Sequence, residues 1–251
     1  MCELSILLPS RKRVDSFEKS INSLINNSSK SNNFEILIAL DNDDMENNLL
    51  KTNIISNIQN KYTFISFQVV LFERQGYTNL HVYYNKLANI SKGKVLWLWN
   101  DDCVVETLNW DVFFIINHYN NKNPLHFYNP VGAGVWFPAI SKETYNIIGH
   151  FSKSPHNDTY IEYIATELNM LHTIEEVYVN HNNIYDDVFD EGKIVKLTSS
   201  LKFFTNDIIF VKETVLLLIK YLKSINNNEF NNYTFDNLDI KVNQLIDKIN
   251  S

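Results

Sequence analysis

Apolar positions in the first hundred residues alternate between short dense runs and wider series at helical spacing. Leu4-Ser5-Ile6-Leu7-Leu8, closed by Pro9, reads as a first strand. Phe17, Ile21, Leu24 and Ile25 then recur at helical spacing, with Asp15 or Ser16 as the expected cap and Glu18 in the first turn. Phe34 to Leu40 predicts a second strand, and Leu50, Ile54 and Ile58 a helix behind it. A third strand falls within Phe64 to Phe72. It is followed by a helix marked by Leu80, Tyr83, Tyr84 and Leu87, which Lys92 and Gly93 close. Val95-Leu96-Trp97-Leu98-Trp99 is a continuous apolar run too short for a helix of its own, and it predicts a central strand buried on both faces.

Strands alternating with helices, over connections too long for hairpins, predict an α/β chain with a mostly parallel sheet and helices on both faces. Ligands of such sheets bind outside the carboxyl ends of the strands. Each of the four candidate strands here ends in a polar cluster: Ser10-Arg11-Lys12-Arg13, Asp41-Asn42-Asp43-Asp44, Glu73-Arg74-Gln75 and Asn100-Asp101-Asp102. Parallel strands would set all four clusters along one edge. The last cluster is the most informative, because two adjacent carboxylates at the end of a buried strand are costly without a cation or strong donor between them.

The pattern changes after Cys103. Trp110 to Tyr119 predicts a helix, and His126 to Ile140, with Gly132 and Gly134, a strand or hairpin with close backbone approach. Ser141 caps a short helix that Gly149 closes. A helix with Ile161, Ile164, Ala165, Leu168 and Leu171 on one face follows the loop of residues 151–157, with Thr159 and Glu162 at capping-box spacing. Val177 to Val179 reads as a last strand. Ile208, Val211, Val215, Leu218, Ile219 and Leu222 mark a further helix from Asp207. An Asn-rich linker at 226–232 separates it from a final helix carrying Leu238, Val242, Leu245, Ile246 and Ile249. These C-terminal helices either pack on the core or provide a homo-oligomer contact.

Composition narrows the function. The 251 residues are 45% hydrophobic, enough for a sizeable core. A net charge of -7, with no Lys/Arg-rich run, argues against a nucleic-acid partner. Cys2 and Cys103 are the only cysteines, which disfavours a disulfide framework or a Cys-based zinc site and fits a reducing compartment. The Leu4 to Leu8 run is too short for a signal peptide, and no apolar run reaches membrane-spanning length. The expectation is a soluble, cytoplasmic protein.

Leu7-Leu8-Pro9-Ser10-Arg11, then Ala39-Leu40-Asp41-Asn42-Asp43, then Lys92-Gly93 through Trp99-Asn100-Asp101-Asp102 resembles the nucleotide-sugar-binding half of GT-A glycosyltransferases. The resemblance is to the large inverting family that includes cellulose, chitin and hyaluronan synthases and many small bacterial and viral enzymes. It covers residues 4 to 190. It implies a Rossmann-like GT-A domain over 1–205, with a nucleotide-sugar-binding half at 1–103 and an acceptor half at 104–205, and a helical extension at 206–251. It further implies that Pro9, Ser10 and Arg11 border the nucleotide and that Asp41 accepts a hydrogen bond from the base; from the clusters themselves, Arg13 and Asp43 join the nucleotide-sugar-binding candidates, with Arg11 or Arg13 expected on phosphate. Asp101 and Asp102 match the last two positions of the family's Asp-x-Asp element, with Asp102 as direct ligand of Mn2+ or Mg2+. Asn100 stands where the family usually carries Asp, which implies a weaker or water-mediated diphosphate contact. Asp158 matches the catalytic base, although His-Asn-Asp departs from the common Glu-Asp pair, and His181 matches a further metal ligand of some relatives. The implied reaction moves a sugar from a nucleoside-diphosphate sugar, a UDP-sugar foremost, to a glycan or other hydroxyl acceptor, with inversion.

Each of these residues also has an ordinary reading. Asp101 and Asp102 suit a turn, and Asp43 or Asp44 a helix N-cap. Arg11 and Arg13 suit a solvated surface, Asp158 the positive end of a helix dipole, and a lone His such as His181 a structural role. Glu162 and His156 are lesser candidates for the base. Trp136 and Phe137 suit core packing better than stacking on a sugar. Two rival functions share the architecture. A sugar nucleotidyltransferase is disfavoured because Leu8 to Arg13 contains no glycine, and a non-catalytic binding or assembly protein is the alternative from a different class.

Overall fold

A computed structural model describes residues 2–132, 137–181 and 191–225, with the backbone alone for 191–206. The final predicted helix, the Asn-rich linker, Gly134 and Trp136 lie outside the described residues. The first half reads β1 (Leu4–Ser10), α1 (Val14–Asn26), β2 (Phe34–Asp41), α2 (Met45–Lys61), β3 (Ser66–Phe72), α3 (Leu80–Ile90) and β4 (Val95–Leu98). The second half contributes β5 (Cys103–Val105), α4 (Trp110–Asn120), β6 (Phe127–Gly132), β7 (Ala139–Ser141), α5 (Lys142–Ile148), α6 (Asn157–Glu167), β8 (Leu171–His181) and α7 (Glu191–Ser224).

The eight strands among the described residues form one sheet in the order β3-β2-β1-β4-β7-β6-β8-β5. The β3-β2-β1-β4 half is wholly parallel, so the ends of these strands share one edge, as their polar clusters predicted. Beyond β4, β7 runs antiparallel to both β4 and β6, β8 runs parallel to β6, and β5 runs antiparallel to β8.

Alternation along β1 separates two cores. Leu4, Ile6 and Leu8 face α1, α2 and α4 together with Trp97, Trp99 and Trp110, whereas Leu7 joins the cluster beneath α3, α5, α6 and α7. The buried indoles have their N–H groups satisfied: Trp97 donates to the Phe137 carbonyl at 3.1 Å, Trp99 to Ser20 Oγ at 2.7 Å and Trp110 to the Leu24 carbonyl at 2.9 Å. Gly93 sits where a Cβ would overlap the Ser5 backbone nitrogen, and its own N–H donates to Ser5 Oγ at 2.8 Å. That close approach brings β4 against β1 and fixes where the acidic end of β4 emerges. Gly132 meets the Val179 carbonyl in the same way, the close approach expected of this strand.

Several boundaries differ from the sequence expectations. Helix α1 begins at Val14, ahead of Asp15 and Ser16, after an uncapped Arg13 in the left-handed region. Asp44 occupies the N-cap position of α2, but its carboxylate makes no capping bond and instead accepts from the Lys12 N–H and the Asn47 side chain, both at 2.7 Å. The buried face of α2 is Asn48, Lys51, Ile55 and Ile58, and Leu50 is exposed. Thr159 lies inside α6, which has no side-chain cap. That helix stops at Glu167 because Asn169 adopts φ 53° and a Schellman pair closes the end, with Met170 N–H on the Ala165 carbonyl at 2.8 Å and Asn169 N–H on Thr166 at 3.1 Å. Leu171 therefore opens β8, which extends well beyond Val177–Val179. Ser141 and Gly149 do bound α5 as read, with Thr144 N–H donating to Ser141 Oγ at 3.1 Å. The apolar face from Ile208 to Leu222 on α7 is buried, most of it in the core beneath α3, α5 and α6.

Candidate functional site

Two acidic clusters stand side by side at the carboxyl edge of the parallel strands, each held by an arginine from the loop after β1. At the end of β2, Asp41 is buried. One of its carboxylate oxygens accepts from Arg11 Nη1 at 3.0 Å and the other from the Tyr83 hydroxyl of α3. The same Arg11 forks onto both oxygens of Asp43, through Nη2 at 3.1 Å and a shorter bond from Nη1. Asp43, with Asp41 behind it, raises the Arg11 guanidinium above its ordinary value, and Arg11 in turn holds the Asp43 carboxyl low. Burial and the Asp41 bond push the Tyr83 phenol up to about 12, so it stays a donor.

At the end of β4, Asp101 is 1% and Asp102 11% exposed in their side chains. Ser10 donates to Asp101 Oδ2 at 2.6 Å. Arg13 bridges the pair, with Nη2 2.8 Å from Asp101 Oδ1 and Nη1 3.1 Å from Asp102 Oδ2. The remaining Asp102 oxygen, Oδ1, lies 3.0 Å from His181 Nε2. Antiparallel pairing of β5 with β8 sets His181 opposite Cys103, and so beside Asp102. Burial raises the Asp101 carboxyl despite Arg13 and Ser10. Burial also pushes Asp102 up, but the His181 bond and the charges of His181 and Arg13 outweigh it and hold that carboxyl below the usual range. The two neighbours are thus driven apart.

Asn100 accepts on its Oδ1 from the buried Tyr84 hydroxyl at 2.9 Å. Pro9 lies in β1 beside Ala39, and half-buried Asp158 sits in the first turn of α6, its Oδ1 accepting from Thr159 N–H at 2.8 Å. The Tyr84 phenol is driven well up by burial and then by Cys103, Asp158, Asp101 and Asp102, so Asp158 and the acid pair act on one buried hydroxyl. The structure thereby brings Ser10, Arg13, Asp101, Asp102 and His181 into direct contact, and Arg11 with Asp41 and Asp43. Phe137 is buried against Trp99, with ring centroids 6.1 Å apart, so it packs the core.

The residues that the sequence reading missed are Tyr83, Tyr84, Lys51 and Cys103. A signal existed for the tyrosines, because a buried hydroxyl needs a partner and this helix runs beside the acidic edge. Lys51 is 0% exposed, its ammonium has no hydrogen-bond partner, and it lies 5.5 Å from the Phe17 ring centroid. Burial first, against the pull of Asp101 and Asp44, brings its pKa down to about 8. A metal has a suitable donor set: among the described residues, ligand atoms of Asp102, Cys103 and His181 lie within 4.8 Å of one another, and His181 Nδ1 is buried without a partner. The Asp102 carboxylate and the His181 imidazole suit a divalent cation, whereas burial drives the Cys103 thiol well above its ordinary value and keeps it protonated, so it lines the site without serving as a ligand for a hard metal.

No protein-family model and no curated relative matches the sequence. Solved structures do match. One is the mannosyltransferase PcManGT from Pyrobaculum calidifontis, in complex with GDP-Man and Mn2+, at a TM-score of 0.62 and 8% identity, covering 88% of this chain and 75% of that one. This chain adopts a GT-A-type glycosyltransferase fold. TarS of S. aureus, residues 1–349 in complex with UDP, is a second match at a TM-score of 0.56 and 12% identity, covering 92% of this chain and 73% of that one. In the GT-A fold so established, both acidic clusters stand at the carboxyl edge of the parallel strands, where sheets of this kind bind their ligands. Among the described residues, no helix is long and apolar enough to cross a membrane.

Proposed function

We propose that this chain is a metal-dependent glycosyltransferase that moves a sugar from a nucleoside-diphosphate sugar to a hydroxyl acceptor with inversion. The observation that supports it is the paired Asp101 and Asp102, one buried and one held ionised beside His181, at the carboxyl edge of a GT-A-type sheet. Asp102 and His181 would hold Mn2+ or Mg2+, which when bound would neutralise charge on the departing diphosphate. Pro9 and Ser10 border the nucleotide, and Asp41 receives the base once Arg11 yields one of its oxygens. Arg11, Arg13 and Asn100 face the diphosphate. Asp158 takes the proton of the attacking hydroxyl on its carboxylate as the new C–O bond forms and the bond to phosphate breaks, and later passes that proton to water. Its Oδ1 is steadied by the Thr159 N–H.

The test is thermal stability against UDP-, GDP-, CDP- and dTDP-sugars with and without Mn2+, followed by turnover and product anomer for the donor that binds. A metal-requiring shift of several degrees that disappears in Asp102→Ala is expected. Asp158→Asn should keep that shift while turnover falls at least about a hundredfold, in line with loss of a general base. A metal-dependent shift with no turnover in the wild type would favour the non-catalytic alternative, and no shift with any donor would overturn the reading.

A further inference from the structure

The backbone of the loop after β1 is strained to one end. Lys12 and Arg13 both lie in the left-handed region, at φ 52° and 44°, which L-residues other than Asn and Asp rarely adopt. The strain is held from both sides: Lys12 N–H donates to Asp44 Oδ2 at 2.7 Å, and the Arg13 carbonyl accepts from Phe17 N–H at 2.9 Å. Its result is to send the Arg13 guanidinium back over the sheet edge, where one nitrogen meets Asp101 and the other Asp102. Two carboxylates are thus already bridged by a resident cation, with buried Lys51 behind them.

Charge balance decides what this arrangement permits. Arg13 already spans both acids, and Lys51 lies in the field of Asp101, which it shares with Asp44 and Asp41. A divalent ion added alone would sit beside the Arg13 guanidinium in a partly desolvated site, where like charges repel strongly. A nucleoside diphosphate brings at least two further negative charges and oxygens that match a guanidinium fork. With both present the guanidinium has a second anion to move to.

We infer that Arg13 is the resident counter-cation of the Asp101–Asp102 pair and makes binding of the divalent ion conditional on the donor diphosphate, to which the guanidinium transfers. The inference rests on the metal and donor site proposed above. Arg13 acts here as a positioning residue whose removal changes the order in which the ligands bind.

The experiment measures Mn2+ affinity from the free-ion electron paramagnetic resonance signal, using wild type, Arg13→Met, Arg13→Lys and Asp102→Asn, each alone and with saturating UDP or GDP. In the wild type, nucleotide should tighten Mn2+ by about tenfold or more, within the usual span of coupling between sites. Arg13→Met should bind Mn2+ about tenfold more tightly than wild type without nucleotide and show little further gain with it. Arg13→Lys, which keeps the charge and loses the fork, should fall between. If Mn2+ binding is lost in Asp102→Asn but Arg13→Met leaves nucleotide-free affinity unchanged or weaker, this inference fails and the site stands. If Asp102→Asn binds as wild type does, or no protein binds Mn2+ under any condition, the site itself fails and the inference with it. Circular dichroism and melting temperature confirm that each variant is folded. Arg13 lies outside the core, so Arg13→Met is expected to pass that check.

Discussion

The acidic cluster at the end of β2 and the one at the end of β4 are built alike and stand in different surroundings. Each pairs adjacent carboxylates with an arginine from one four-residue stretch, Arg11 for the first and Arg13 for the second. The Arg11 fork rests on Asp43, which is 44% exposed, whereas Arg13 reaches Asp101, which is 1% exposed. Water screens the first pair, so its contribution to stability is small. The acids of the second cluster are shielded although Arg13 itself is 38% exposed, and each charge there depends on the others. The same residue types two positions apart thus form a partly exposed ion pair in one place and join buried acids in the other.

The sharpest way to break this comparison is Asp101→Ala. It leaves Arg13 and Lys51 facing one charge fewer and Ser10 without its acceptor, and stability measured by urea unfolding should fall by about 3 kcal/mol, the lower range for opening a buried pair. A loss no larger than that of an exposed substitution would show that the β4 cluster is not shielded.

Lys51 offers a second measure of the same shielding. Its folded pKa of about 8 lies below the ordinary 10.5, so between these values the unfolded chain binds more protons than the folded one. Stability therefore rises with pH across this window, as deprotonation relieves the buried charge. At about 1.4 kcal/mol per unit, the stability of wild type relative to Lys51→Met should improve by on the order of 3 kcal/mol from pH 8 to 10.5. A difference that stays flat with pH would show that the ammonium is solvated. The smallest effect belongs to Asp43→Asn. The urea midpoint should not move, while affinity for the nucleotide weakens several-fold by equilibrium dialysis, since Arg11 loses its fork.

Much of this arrangement is legible in the chain. Dense apolar runs ending in polar clusters placed β1, β2 and β4 and the edge they share, and an apolar run reaching Asp101-Asp102 without a break marked the cluster that most needs a cation. The second half was harder to read. Leu171 continues a helical spacing yet starts a strand, because Asn169 takes a left-handed conformation that apolar spacing does not encode. Lys51 reads as a surface residue of an amphipathic helix, since a single polar residue does not reveal which face the sheet covers.

Burial periodicity and turn chemistry are local properties of neighbouring residues, so the alternation of elements and the polar ends of the strands can be read from the chain. Which acids meet which cations depends on packing between strands far apart in the chain. His181 reaches Asp102 through strand pairing across 79 positions, and Arg13 reaches both acids through two left-handed residues held by Asp44. Such contacts depend on the close approach of β4 to β1 at Gly93 and of β8 to β5, and a distance of that kind is set only when the whole sheet has packed.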